Sequence, residues 1–405
     1  MPTATGSYDV EGVLLPRPFK IRRLGHFGVD LDDMEAGLRF YVDDIGFRIT
    51  DTLDLNSIER TKPLTEGAGD PHLYFTSHGS DHHAFLLNHR AISRNMGVTG
   101  GEVTVNQLTW QVGSLREVVE GHDFLQQQGV DVVRIGRDMP GGNWHVYFRD
   151  PDGHQNELYY GMEQVGWQRH SRPRGMYYRG FKERPTLPQM SEAAEIEDAI
   201  AKGIDIHSGY SPRETQERRF DVGGVLLPRP FKVTRIGPVA IFVDDVARSE
   251  DFYGRLLGFR VTEESRIEGE RCLFLRAGTE HHALALLPKS LRARLGFSAH
   301  STLASFGLEV GSYRQLCDAV AFLKERGWRF MDDVPTHLFP GIDYAAFVLD
   351  PGGHCMMLYY YMEQIGWDGR PRPREERRAV DAEWPAALPA LSDTYVDQIF
   401  PGPLG

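Results

Sequence analysis

Apolar positions along the chain fall into short segments of changing period. Residues 21–30 alternate with the two-residue rhythm of a strand that buries one face. Residues 32–45 switch to helical spacing, with Met34, Leu38, Tyr41 and Ile45 on one side. Strand-like runs follow at 47–53, 72–77 and 82–88. The same order then returns: a strand over 105–113, a helix over 115–129, and strands near 131–135, 143–149 and 155–160. The pattern predicts a β-α-β-β-β unit written twice before residue 165.

The whole of that pattern is itself repeated. Val13-Leu14-Leu15-Pro16-Arg17-Pro18-Phe19-Lys20 recurs letter for letter at Val225 to Lys232. Asp150-Pro151-Asp152-Gly153-His154 returns as Asp350-Pro351-Gly352-Gly353-His354, and Met162 to Trp167 returns with one change at Met362 to Trp367. A period of about two hundred residues is far beyond the 20–50 of a solenoid, so the chain reads as a duplicated domain. The expected fold class is α+β, with four βαβββ modules in two copies. The expected divisions are an N-terminal domain (1–167), a linking segment (168–222) with a helix at 191–203, a C-terminal domain (223–367) and a Pro-rich tail (368–405). Tyr177, Tyr178, Tyr395 and Phe400 are candidates to pack back on the domains.

Charge and cysteine content narrow the partners. A net charge of −12 argues against nucleic acid or an anionic membrane as the main partner. No apolar run approaches the roughly 18–20 residues of a membrane span. The first residues lack the basic and apolar regions of a signal peptide. Three cysteines, Cys272, Cys317 and Cys355, form neither a disulfide framework nor a CxxC zinc pattern. A cytoplasmic homo-oligomer is expected.

The four-module pattern, the segment FYVDDIGFRIT (40–50) and the ending DPDGHQNEL (150–158) resemble the vicinal oxygen chelate superfamily, and within it the type I extradiol ring-cleavage dioxygenases. The resemblance covers about residues 20–165 and 232–365. It implies that the four βαβββ modules pair into two half-open barrels, and that one divalent metal is held by side chains from the first strand of one module and the first and last strands of the next. Carried onto this chain, the ligands are His26, Gln107 and Glu157. Gln107 stands where the dioxygenases carry a histidine, and its amide oxygen is a weaker, neutral donor than imidazole. Three options stay open: Fe(II) held more loosely, Mn(II) or another divalent metal, or His83 as the third ligand. The resemblance also makes His83 the acid/base residue and Tyr147 the partner of a substrate hydroxyl. His145, Trp144 and His82 are expected to line the pocket.

The second copy is an internal control. His26 is replaced there by Pro238, Gln107 by Ser305, Glu157 by Met357 and Tyr147 by Phe347, whereas His83 keeps its counterpart His282. The chemistry is therefore expected in the first copy alone. His154 and His354 occur in both copies, which suggests a role in the turn. The expected function is a metal-dependent extradiol-type dioxygenase that cleaves a catechol or related polyhydroxylated aromatic with O2. Two alternatives remain: a glyoxalase-like isomerase, lyase or hydrolase that uses no O2, and a non-catalytic protein that binds an aromatic. The retained His26 and Glu157 weigh against the last. One metal ion per chain is expected on elemental analysis after full reconstitution; a value near two would overturn the assignment of the second copy.

Overall fold

The structure is a computed structural model that describes residues 7–166, 170–177, 180–331, 334, 338–366, 368–378 and 383–388. Tyr178, Tyr395 and Phe400 lie outside the described residues. The first copy opens with a hairpin of β1 (Tyr8–Val10) and β2 (Val13–Leu15). It continues through β3 (Arg23–Leu31), β4 (Arg48–Asp54), β5 (His72–Ser77), β6 (Phe85–His89), β7 (Val105–Gln111), β8 (Val132–Arg137), β9 (Trp144–Arg149) and β10 (Gln155–Tyr160). Strands β3 to β10 form one eight-stranded sheet in the order β4-β5-β6-β3-β7-β10-β9-β8. At its centre β3 and β7, the first strands of the two modules, run antiparallel. Each also runs parallel to the last strand of its own module, β3 to β6 and β7 to β10.

The second copy repeats this with β11 (Phe220–Val222), β12 (Val225–Leu227), β13 (Val233–Val243), β14 (Arg260–Ile267), β15 (Glu270–Arg276), β16 (Leu284–Pro288), β17 (Leu303–Val310), β18 (Phe330–Met331), β19 (Ile342–Leu349) and β20 (Cys355–Met362). Its sheet has the order β14-β15-β16-β13-β17-β20-β19-β18. The architecture is the α+β, internally duplicated one that the hydrophobic pattern predicts. Among the described residues no helix is long and apolar enough to cross a membrane.

Two predicted elements differ in detail. The helix over 32–45 starts as an α-helix at Met34–Leu38, capped by the Asp33 carboxylate on the Ala36 N–H. It then widens into π-type turns over Arg39–Ile45 and stops at Gly46, whose φ of 96° is the left-handed cap that favours glycine. The strand expected from residue 82 begins at Phe85, because the His82 N–H is drawn to the Glu163 carbonyl (2.7 Å) and not to a neighbouring strand.

The helix-bearing faces of the two sheets share one apolar core. Phe27 packs on Phe306 (ring centroids 5.1 Å) and Trp110 on Phe259 (4.8 Å). The polar contacts across this core are reciprocal. The Tyr41 hydroxyl donates to Asp350 (2.7 Å) and the Tyr253 hydroxyl to Asp150 (2.8 Å). His154 and His354 each pair with the aspartate of their own turn at 2.9 Å, and each reaches a threonine of the other copy, Thr302 and Thr104. The octapeptide works the same way. Arg229 sits over Gly46 and donates to the Val42 carbonyl (3.2 Å), and Arg17 sits over Gly258. A Cβ at either glycine would collide with the opposing guanidinium.

The opposite, concave faces are unlike. In the second copy that face is filled by Phe242, Phe274, Phe339, Phe347, Met357 and neighbouring apolar side chains, all buried. In the first it carries histidines, carboxylates and a tyrosine. Tyr41→Phe and Tyr253→Phe should each lower unfolding stability by about 1.5–3 kcal/mol, since each removes a donor from a buried carboxylate. Urea titration measures this, and changes below about 0.5 kcal/mol would mean that these contacts do not hold the copies together.

Candidate metal centre

Strand alternation places the predicted residues on one face. In the β10 register Glu157 stands between Thr109 of β7 and Tyr147 of β9. Gln107 is two residues from Thr109 and so shares its face. On β3, Phe27 pairs with Leu108 on the other face, which turns His26 toward the side of Gln107 and Thr109. The Thr109 hydroxyl bonds both the N–H and the carbonyl of His26 and fixes the strand there. His26, Gln107, Glu157, His145 and Tyr147 therefore line one concave surface. His82 and His83 arrive from the turn before β6, and Trp144 opens β9.

His26 and Glu157 are fully buried, with Nε2 of His26 3.2 Å from Oε2 of Glu157. Oε1 of Glu157 accepts from the Asn143 amide (2.9 Å). Apart from this approach to each other, both ring nitrogens of His26 and Oε2 of Glu157 have no hydrogen-bond partner among the described residues. Buried polar atoms without partners are uncommon and cost roughly 1–3 kcal/mol each. This donor set, an imidazole and a carboxylate free to share one cation, fits a divalent metal ion.

The His83 ring packs against His26 (4.4 Å between centroids). Gly141, at φ +100°, leaves the space its Cε1 occupies, since a Cβ there would come within 2.8 Å. Burial, and then the proximity of His26 and His82, pushes the His83 pKa well below its usual value, so the ring is neutral. Its tautomer follows from its neighbours. Burial alone would raise the Asp51 pKa, but His82, Arg174 and Tyr177 outweigh it and hold the group ionised, an acceptor only. Nε2 of His82 lies 3.5 Å from that carboxylate, without a hydrogen bond, and the negative charge there favours the proton on this side of the ring. Nδ1 of His82 then accepts from Nδ1 of His83 (2.9 Å), which leaves the lone pair of His83 on Nε2. The second copy has the same chain in Glu263, His281 and His282, where Nε2 of His282 has no hydrogen-bond partner among the described residues. The triad therefore belongs to the fold, and only its surroundings differ.

Two residues of this surface were not singled out from the sequence, Asp138 and Arg134. Asp138, His145 and Glu157 each bring a ligand atom to within 4.8 Å of the others, a second possible metal cluster. Glu157 belongs to both groups, and the other two members, Asp138 and His145, have partners of their own. Arg134 donates to Asp138 (3.0 Å) and to Nε2 of His145 (2.7 Å), and the Tyr147 hydroxyl donates to Asp138 (2.8 Å). Burial would raise the Asp138 pKa, but Arg134, His145 and Tyr147 together hold it well below the usual carboxylate range. An Arg donor on Nε2 removes the lone pair that His145 would offer a metal. His26 and Glu157, by contrast, keep donor atoms that have no hydrogen-bond partner among the described residues. Asp138 was not legible because it lies in the loop after β8, outside any periodic run.

The connecting segment forms a wall of the site. Arg137 N–H donates to the Gly180 carbonyl (2.9 Å), and Phe181 stacks 3.9 Å from the Arg134 guanidinium. The helix Glu192–Ala201, capped by Ser191, presents Glu195 to both Arg137 and Arg172.

The sequence profile of the Glyoxalase/Bleomycin resistance protein/Dioxygenase superfamily matches residues 23–158 and 235–358. The chain belongs to this superfamily, the vicinal oxygen chelate fold. Among solved structures it is similar to the Mn(II)-bound glyoxalase from Novosphingobium aromaticivorans: 15% identity, TM-score 0.53, covering 86% of this chain and 85% of that one. It is also similar to a catechol 2,3-dioxygenase, at 16% identity and TM-score 0.51 over 89% and 93% of the two chains. Homoprotocatechuate 2,3-dioxygenase from Arthrobacter globiformis gives 18% and 0.51 over 90% and 85%. No curated protein matches the sequence.

Chelator competition ranks the donors. His26→Ala and Glu157→Gln should lose more metal affinity than the ~10–100-fold typical of an outer partner, whereas His145→Ala should stay within that range. Gln107→His should tighten the site. Equal affinities for wild type, Gln107→His and Gln107→Ala would remove Gln107 from the ligand set.

Proposed function

We propose that the chain is a metal-dependent extradiol-type dioxygenase acting on a catechol or related polyhydroxylated aromatic, with its one centre in the first copy. The observation that carries this reading is the buried, otherwise unpartnered His26–Glu157 pair beside a neutral His83 whose Nε2 lone pair is free. His26, Glu157 and Gln107 would hold the ion, Fe(II) by the resemblance to the dioxygenases; Mn(II) suits the same donors. When bound, such an ion supplies the positive charge that favours an ionised catechol and the electron path between ring and O2.

The remaining work falls to the chain. A catechol has to lose a proton to become a good chelate, and Nε2 of His83 is the base that takes it. The low pKa of this buried imidazole makes it a weak base in the free protein, and a proton taken there is stabilised by the Asp138 carboxylate. His82 and Asp51 hold the tautomer. Tyr147, already donating to Asp138, presents its oxygen to the substrate side, and His145 and Trp144 bound the ring. Phe181 and the segment 180–195 keep bulk water from this wall. Similarity to ring-cleaving dioxygenases supports the reading at the level of fold.

A second reading, an O2-independent glyoxalase-like reaction, is favoured by the neutral Gln107 and by the likeness to a Mn(II)-bound glyoxalase. Oxygen uptake with a panel of catechols, run with Fe(II) and with Mn(II), separates the two. Substrate-dependent O2 consumption is expected, and turnover unchanged under anaerobic conditions would overturn the dioxygenase. His83→Ala should keep most of the metal and lose about 100–10,000-fold in turnover. Loss of the metal itself would make His83 a ligand.

A further inference from the structure

A cavity of about 550 Å³ lies away from this centre, where the helix ending at Gly46 meets the octapeptide of the second copy. Arg48, Arg213, Arg218, Arg229 and Lys232 line it, against the carboxylates of Asp43 and Glu214. This local excess of positive charge stands in a chain of net charge −12. The rest of the wall is largely apolar, with Ile45, Phe47 and Phe231.

Lys232 is the unusual member. It is only 6% exposed, and its ammonium donates to the carbonyls of His78 and Val233. It ion-pairs with no carboxylate among the described residues. Burial first, and then the charges of Arg48 and Arg229, push its pKa down to about 7. Arg229 pairs with Glu214 (3.1 Å), and burial lowers its pKa as well. The twin octapeptide shows that the fold does not require this burial, because its lysine, Lys20, is exposed. The arginine of the octapeptide is accounted for by its contact with the helix end. The buried lysine and the rim arginines are not.

We propose that this cavity binds a small organic anion, a carboxylate or phosphate ester on an apolar or aromatic body, at a site separate from the His26–Glu157 centre. The anionic group meets Lys232 and Arg229, and the body lies on Phe47 and Phe231. The volume is within the roughly 300–1,000 Å³ of small-molecule sites built from an apolar wall and a few convergent polar groups. The site also touches the catalytic turn. The carbonyl of His78 is held by Lys232 and that of Gly79 by Arg48 (2.9 Å), and this turn leads directly to His82 and His83. A ligand on Lys232 competes with the His78 carbonyl for the same ammonium, so occupancy acts on the segment that delivers the base.

Titration calorimetry on the full chain at neutral pH, with phenyl phosphate, phenylacetate and inorganic phosphate as probes, tests this. Phenyl phosphate or phenylacetate should bind saturably and more tightly than inorganic phosphate. Lys232→Met should weaken that binding about 10-fold or more, and His26→Ala should leave it unchanged. Should Lys232→Met not fold, the double substitution Arg213→Ala with Arg218→Ala, both on the exposed rim, carries the decision. An affinity unchanged in that variant overturns the proposal. So does the absence of saturable binding, or binding lost in His26→Ala and kept in Lys232→Met, which would move the anion to the metal centre. None of these outcomes bears on whether the centre consumes O2.

Discussion

Placing an imidazole and a carboxylate in a dry sheet face, with donor atoms left unpaired, is the constraint around which this molecule is organised. Among the described residues Oε2 of Glu157 and both nitrogens of His26 have no hydrogen-bond partner, so the arrangement costs folding energy unless a cation takes them up. Everything nearby limits that cost. Asn143 satisfies the other carboxylate oxygen, Thr109 holds the His26 backbone, and Arg134 neutralises Asp138 and caps His145. The result is a short list of atoms free to act, surrounded by groups that are not.

The second copy shows the alternative solution for the same concave face. Met357, Phe347 and Ala345 replace Glu157, Tyr147 and His145, and the face closes as an ordinary apolar core. That half can then serve as a rigid back for the first. Its helix sends Tyr253 to Asp150, its turn takes Tyr41 on Asp350, and its octapeptide clamps the end of the first helix through Arg229. Each contact has its mirror image in the other direction, so a side chain shared by both copies reports on the pairing and a side chain that differs reports on the chemistry. The Asp51–His82–His83 chain illustrates the limit of that rule. It is preserved in both copies, yet only in the first does its terminal ring pack on another histidine, His26, where the second copy has Pro238.

Much of the architecture was legible in the residues. Period-two and helical runs located the strands and helices because one face of each is buried, and the repeated segments revealed the duplication. The loss of His26 and Glu157 from the second copy pointed to the one surface worth inspecting. The errors were at places where long-range hydrogen bonds compete with local pattern. His82 leaves the strand for the Glu163 carbonyl, and the helix before Gly46 widens into π-type turns, as its counterpart does at Asp251–Leu256.

What the sequence determined by itself is therefore the set of short-range preferences: which runs alternate, where glycine and aspartate end or begin a helix, and which copy retains ionisable side chains. Only the tertiary structure decided which of those ionisable groups are spent on one another. That Arg134 takes the lone pair of His145, that Asp51 fixes the tautomer of His83 two rings away, and that Lys232 is buried while its twin Lys20 is exposed all depend on residues far apart in the chain. Hydrogen bonds and Coulomb interactions act over a few ångströms, and sequence spacing does not say which atoms the fold will bring within that distance.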